Sequence, residues 1–217
     1  MMTTASRVIM TVLLLTFANT ATAADMGHAP WQIDLGVTRL AMVDKADVAA
    51  VGTQISGAGV DSDAQVVPSI TVTRFVTATV GFSLASGLPP RIRYNGSGTL
   101  ASAGRLIDVR YAAPALTIVW SPFRSRGIAP YVGAGATYMH VLSTRDGALQ
   151  ESEVDDDLGP VAQAGVTFFS GRRWGIYADV KKAFVRTKAY GLFGPAPVEA
   201  RLRMDPVVAQ AGVSLRL

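Results

Sequence analysis

The chain contains no cysteine. That excludes disulfides, a thiolate metal site and a lipid-modified N-terminal cysteine. It has two histidines, His28 and His140, in 217 residues, which leaves little material for a base beside a nucleophile. Past the N-terminal leader no apolar run approaches the ~18 residues of a membrane-spanning helix. Charged residues make up only 17%, few for a soluble domain that has no disulfides to hold it.

What is present is dispersed apolarity. Apolar residues reach 49% and glycine numbers 21. High apolarity without long apolar runs is the composition of a transmembrane β-barrel, whose lipid-facing residues fall at every second position. In hydrocarbon every backbone polar group must be satisfied internally, so without a helix only a closed barrel can span. The net charge of +4 and pI near 9.6 would otherwise suggest nucleic acid. No nucleic-acid motif occurs, and an exported chain does not meet that partner.

The export signal is at the start. Arg7, the apolar run Val8 to Phe17 and Ala21-Thr22-Ala23 have the charge, length and small-residue site of a secretory signal peptide. Residues 1–23 are therefore expected to be cleaved, with 24–217 as one barrel domain. At the other end, Val207, Ala209, Ala211, Val213, Leu215 and Leu217 alternate with Val208, Gln210, Gly212, Ser214 and Arg216. This period of two makes a strand with one apolar face. Taken alone, it suits a soluble β-sandwich as well as a barrel.

The intervening sequence separates these readings. Alternating stretches fall at Trp31–Thr38, Gln65–Thr73, Thr77–Ala85, Leu106–Trp120, Ala129–Leu142, Gly159–Phe169, Trp174–Lys188 and the C-terminal strand. The fourth loses phase at Ala112-Ala113-Pro114, where a bulge is expected. The connections alternate in length. Residues 44–63, 87–104, 143–157 and 189–198 read as long loops, and those near 74–76, 121–127 and 170–173 as short ones. Long outer loops and short periplasmic turns are the outer-membrane pattern. The expected fold is an all-β, eight-stranded antiparallel transmembrane barrel in the bacterial outer membrane, with both termini on the periplasmic side. Trp31, Phe75, Trp120, Phe123, Phe169 and Trp174 at the short-turn end read as an interfacial girdle.

Four blocks then resemble the outer-membrane protein W (OmpW-like) family. They are Ala129-Pro-Tyr-Val-Gly-Ala-Gly-Ala-Thr-Tyr138, Ala162-Gln-Ala-Gly-Val166, Trp174-Gly-Ile-Tyr-Ala-Asp-Val-Lys181 and Asp205-Pro206. The resemblance covers nearly the whole mature chain. It implies an eight-stranded barrel forming a narrow conduit for passive uptake of small hydrophobic molecules, with links to stress adaptation and colicin reception. The chain departs from the family at Leu217, where an aromatic is usual, and at Leu158-Gly-Pro160, so no aromatic gate is carried over. Gly212, Leu215 and Leu217 match the signal read by the barrel-assembly machinery.

Alternation also nominates site residues. Asp34, Asp108, Arg110, Gln163, Tyr177, Asp179, Lys181 and Gln210 are expected to line the lumen. Asp108 and Arg110 are expected to join Asp179 and Lys181 in a charged network, because charges at membrane depth need partners. Such a network either tunes selectivity or plugs the barrel. Arg91, Arg93, Arg105, Lys182, Arg186, Lys188, Arg201 and Arg203 gather at the outer rim, where lipopolysaccharide phosphates suit bidentate arginine. A rim that is simply solvated fits the same residues. Glu151, Glu153 and Asp155-Asp-Asp157 lack calcium-loop spacing, and Gly133-Ala-Gly135 lacks the third glycine and the helix of a dinucleotide fingerprint. No cofactor or metal is expected. His140 and Ser143, three apart on a strand, face opposite sides, so they are not a dyad, which leaves Ser83 or a residue of another strand as the remaining partner for His140; no enzyme activity is expected. The alternative to a conduit is a plugged structural, stress-response or adhesion barrel acting through its loops and lipopolysaccharide contacts.

Overall fold

The structure is a computed structural model and describes residues 30–42, 45–50, 53–55, 57–124, 127–171, 173–194 and 196–217. The expected signal peptide lies outside them. Eight strands form the membrane wall: β1 (Trp31–Ala41), β5 (Gln65–Phe75), β6 (Val80–Gly87), β9 (Ala115–Trp120), β10 (Ile128–Asp146), β12 (Asp157–Ser170), β13 (Trp174–Ala183) and β16 (Val207–Arg216). Each pairs antiparallel with its neighbour, and β16 returns to β1 with Leu35 opposite Val213. The ring therefore closes and leaves no edge strand, as lipid requires. Among the described residues no helix is long and apolar enough to cross a membrane.

The faces follow the period of two. Leu35, Val37, Ile118, Val132, Ile176 and Val180 point outward, and each is at least half exposed. Gln32, Asp34, Thr71, Thr117, Gln163 and Asp179 point inward and are buried. A belt this apolar is too large for a protein surrounded by water. It is the surface hydrocarbon demands.

The predicted long loops contain further strands. They hold β2 (Lys45–Ala50), β3 (Thr53–Gln54), β4 (Ala58–Ser62), β7 (Arg91–Gly98), β8 (Arg105–Ala112), β11 (Gln150–Val154), β14 (Arg186–Phe193) and β15 (Ala196–Arg203). Two sheets result above the barrel, β11-β14-β15-β2-β3 and, continuing from the upper half of β10, β8-β7-β4. In place of the bulge expected at Ala112-Ala113-Pro114, the strand is interrupted outright: β8 ends at Ala112 and β9 begins at Ala115. A matching break at Phe184-Val185 separates β13 from β14.

The extension inverts the barrel's pattern, because its outside is water rather than lipid. Ile92, Tyr94, Val109 and Tyr111 turn inward and are buried, while Arg91, Arg93, Arg110, Arg186 and Lys188 turn out. The result is an apolar cup standing on a polar barrel.

Candidate functional site

The interior is built in layers. At the end with the short turns, Phe75 and Phe169 face inward rather than joining the girdle. The Arg124 guanidinium lies 3.7 Å from the Phe75 ring centroid, and that of Arg216 lies 3.3 Å from Phe169. Arg216 also donates to the Arg124 carbonyl at 2.6 Å. These two cation–π stacks close the periplasmic mouth. Trp120 and Trp174 do face outward, both more than half exposed.

Above this cap lies a polar partition. Asp34 accepts from the Ser214 hydroxyl at 2.5 Å and the Gln32 amide at 3.1 Å. Asp179 accepts from the Tyr131 hydroxyl at 2.9 Å and from the Lys181 ammonium. Lys181 also donates to Gln210, whose amide donates to Thr38 at 2.8 Å. Each buried charge thus has a partner, as burial demands. The cavity left inside measures about 20 Å³, room for about one water. Gln163, Thr71 and Thr167 line it, each with a side-chain oxygen that finds no protein partner among the described residues.

Glycine makes the partition possible. A Cβ at Gly165 would stand 2.5 Å from the Tyr131 hydroxyl, and one at Gly36 would stand 2.7 Å from that of Tyr177. The rings therefore cross the lumen over bare backbone. Gly165→Ala should displace Tyr131 from Asp179 and lower the unfolding midpoint by an amount matching about 1–3 kcal/mol, the usual cost of overpacking. Urea titration of the refolded protein in lipid checks this.

Two apolar chambers lie above. The lower, of about 110 Å³, is lined by Leu40, Val67, Ala85, Met139, Ala183 and Met204 and floored by Thr38, Lys181 and Gln210. The upper, of about 170 Å³, lies among Val60, Tyr94, Ile107, Leu149, Phe193 and Val198, and its walls present no polar surface. The lower chamber also borders a discontinuity in the wall. The β5–β6 register runs to Ser69–Gly87, and the Leu88 N–H adds a last bond to the Pro68 carbonyl at 3.0 Å; Pro68 has no N–H to return it, and the ladder stops there. The pairing of β6 with β9 ends at Ala85–Ala115. Leu88-Pro89-Pro90 crosses that gap, lining the chamber with Leu88 62% exposed on the outside.

The predicted site residues divide accordingly. Asp34, Gln163, Tyr177, Asp179, Lys181 and Gln210 are buried within the barrel. Asp108 and Arg110 are not lumenal. They lie on the outer face of β8, because apolar residues at 107, 109 and 111 turn toward the cup where the pattern inverts. The expected four-residue network is therefore absent: Asp108 pairs instead with Arg93 at 3.5 Å and Arg105 at 3.2 Å. Arg91 stands opposite Arg110 in the β7–β8 ladder. Lys182, at the outer end of β13, donates to the Asp205 carbonyl, and Lys188 lies 4.0 Å from Glu199. The side chains of Arg201 and Arg203 lie outside the described residues. Gly212 packs its Cα against β1, Leu215 sits opposite Ile33, and Leu217 exchanges backbone hydrogen bonds with Trp31. Leu217→Phe should assemble normally. Leu217→Asp, charged beside Trp31 at the bilayer edge, should fail to insert, as read by loss of heat-modifiable migration.

Sequence reasoning did not nominate Tyr131, Arg124 or Arg216. Tyr131 and Arg216 share the inward phase of Gly133 and Ser214, so alternation carried a signal for both. Arg124 sits in a turn, where no period applies.

The expectation that His140 and Ser143 face opposite sides is overturned by a bulge: β10 shifts register between Val141 and Ser143, so both residues fall opposite the same face of β8, at Ala112 and Arg110. His140 is bonded instead to Asp156 at 2.6 Å. The bulge leaves the Val141 N–H to Asp156, which accepts it at 2.7 Å. Partial burial raises the Asp156 pKa, but bonds from Val141, His140 and Tyr138 outweigh it and hold the carboxyl below the usual range. A depressed carboxyl stabilises above its unfolded pKa and loses that contribution only as pH falls through the folded value. Exchange protection of Val141 should therefore persist below pH ~4, the ordinary aspartate pKa. Among the described residues no three His, Cys, Asp or Glu side chains converge on a metal-sized site.

A closed ring of eight antiparallel strands, an apolar belt and a polar interior define a bacterial outer-membrane β-barrel. The family model of the OmpW family matches residues 31–217, and the chain belongs to that family. The dibenzothiophene metabolism operon protein PahQ of Pseudomonas aeruginosa is 25% identical over 86% of this chain and 88% of its own. The crystal structure of OprG from Pseudomonas aeruginosa superposes with a TM-score of 0.79 at 19% identity, over 88% of this chain and 98% of that one. The structure of AlkL in lipid bilayers superposes with a TM-score of 0.71 at 23% identity, over 92% and 96%.

Proposed function

We propose that the protein collects small hydrophobic molecules at the cell surface and delivers them sideways into the outer membrane. The observation that carries this reading is the pairing of two apolar chambers with a nearly solid polar floor. An apolar solute entering the cup gains by leaving water. It has no room to continue through the partition, and the wall at Leu88-Pro89-Pro90 is where the ladders beside the lower chamber run out. A relative named for dibenzothiophene metabolism supports apolar aromatics as cargo. No step needs bond chemistry, so the protein acts without a cofactor and not as an enzyme.

The remaining assignments belong to the same reading. The signal peptide directs export, and Gly212, Leu215 and Leu217 engage the barrel-assembly machinery. Arg91, Arg93, Arg186 and Lys188, with Lys182, Arg201 and Arg203, meet lipopolysaccharide phosphates. The opposed pair Arg91 and Arg110 favours that partner, because the acidic neighbour Asp108 is committed to Arg93 and Arg105.

A plugged barrel acting only through its surface is the second reading, favoured by the closed partition. Vesicles with a lipopolysaccharide outer leaflet distinguish the two, since that leaflet is the barrier to apolar solutes. The conduit reading expects the protein to speed uptake of a small fluorescent arene by at least about tenfold, a barrier lowered by about 1.4 kcal/mol. Uptake equal to protein-free vesicles would leave the plugged barrel.

A further inference from the structure

We infer that the floor of the lower chamber is a recognition site for a neutral oxygen acceptor, so that the preferred cargo is an apolar body bearing one carbonyl, ether or hydroxyl oxygen. This rests on the conduit reading and narrows its substrate class. The two chambers differ in chemistry. The upper has no polar wall, whereas Thr38, Lys181 and Gln210 bound the lower one from beneath. Lys181 is 5% exposed and carries three N–H donors. Two are committed, to Asp179 and Gln210, and among the described residues the third has no acceptor. The Thr38 hydroxyl accepts from Gln210 at 2.8 Å, and its own hydrogen has no acceptor among the described residues either.

The floor thus offers two uncommitted donors at the base of a largely apolar chamber. A buried donor without a partner is unfavourable, and a ligand oxygen satisfies it. The charge balance selects the kind of oxygen. Asp179 already neutralises the ammonium, and Asp34 lies close enough to both to interact electrostatically. A carboxylate would bring a further negative charge toward these two. A cation would bring more donors to a site that already has a surplus. A neutral dipole meets neither objection.

Three molecules of one skeleton test this: ethylbenzene, acetophenone and 1-phenylethylamine. Their binding to the intact protein in lipid nanodiscs is measured by equilibrium dialysis and corrected for partition into protein-free discs. Acetophenone should exceed ethylbenzene by roughly three- to tenfold, the worth of a net hydrogen bond, and the amine should bind least. Thr38→Val should bring the ketone-to-hydrocarbon ratio down toward that of the bilayer. Without any substitution, acetophenone should shift the Lys181 Nζ resonance and ethylbenzene should not. Equal corrected binding of ketone and hydrocarbon, or an unmoved Lys181 signal, overturns the recognition site and leaves the conduit standing. No binding of any of the three above bare discs overturns both.

Discussion

Replacing Ala85 or Ala183 by phenylalanine should reduce arene uptake to the level of protein-free vesicles. Both alanines are buried and line the lower chamber. Its volume is about 110 Å³, of the same order as the roughly 150 Å³ of an engineered cavity known to hold benzene, so one added ring occupies the space a solute needs. The fold should survive. Filling a void is less damaging than overpacking a full core, for which about 1–3 kcal/mol is usual. Leu84→Phe provides the control, because residue 84 is 40% exposed on the lipid face one position away. It should leave uptake unaltered. Rates measured across a lipopolysaccharide leaflet, with heat-modifiable migration to report folding, separate a blocked chamber from a lost barrel.

Lys181→Met should be the most destabilising single change in the barrel interior. It leaves the Asp179 carboxylate at 3% exposure with the Tyr131 hydroxyl as its remaining partner, and removes the donor that holds Gln210. Breaking a buried pair from one side costs about 3–5 kcal/mol, whereas removing both charges together is often close to neutral. Lys181→Met combined with Asp179→Asn should therefore recover most of the loss. Unfolding in urea from lipid vesicles gives the double-mutant cycle. An additive double variant would mean that the two groups do not act as a pair.

The barrel was legible because its two faces meet different solvents. Lipid outside and a polar lumen inside give strict alternation, and β1, β12, β13 and β16 were read with their faces correct. The extension was not legible for the complementary reason. Above the bilayer the outside becomes water, so the polarity of each face reverses without any marker in the sequence. Asp108 and Arg110 were assigned inward on the barrel's rule and lie outward on the extension's. The hidden strands β2, β3 and β4 are short and lie in a segment rich in Gly, Ala, Asp and Ser, a composition read as loop. They form because long neighbours template them, which is a tertiary effect. Phe75 and Phe169 sit at strand ends like girdle residues, and their inward turn depends on Arg124 and Arg216 arriving from other segments. The partition was half legible. Asp34, Asp179, Lys181 and Gln210 follow from alternation, but the pairing of Asp179 with Tyr131 depends on Gly165, which clears the path for the ring.

The sideways path is the central claim, and photolabelling tests it most directly. A small hydrocarbon carrying a diazirine would be added to the protein in vesicles with a lipopolysaccharide outer leaflet, irradiated, and its adducts mapped by mass spectrometry. Adducts on Tyr94 and Leu149 in the upper chamber, on Met139 and Met204 in the lower, and on Leu88 at the wall would trace the predicted route. Adducts on Gln163 within the partition, or on Phe75 or Phe169 beneath it, would show passage through the barrel and contradict it.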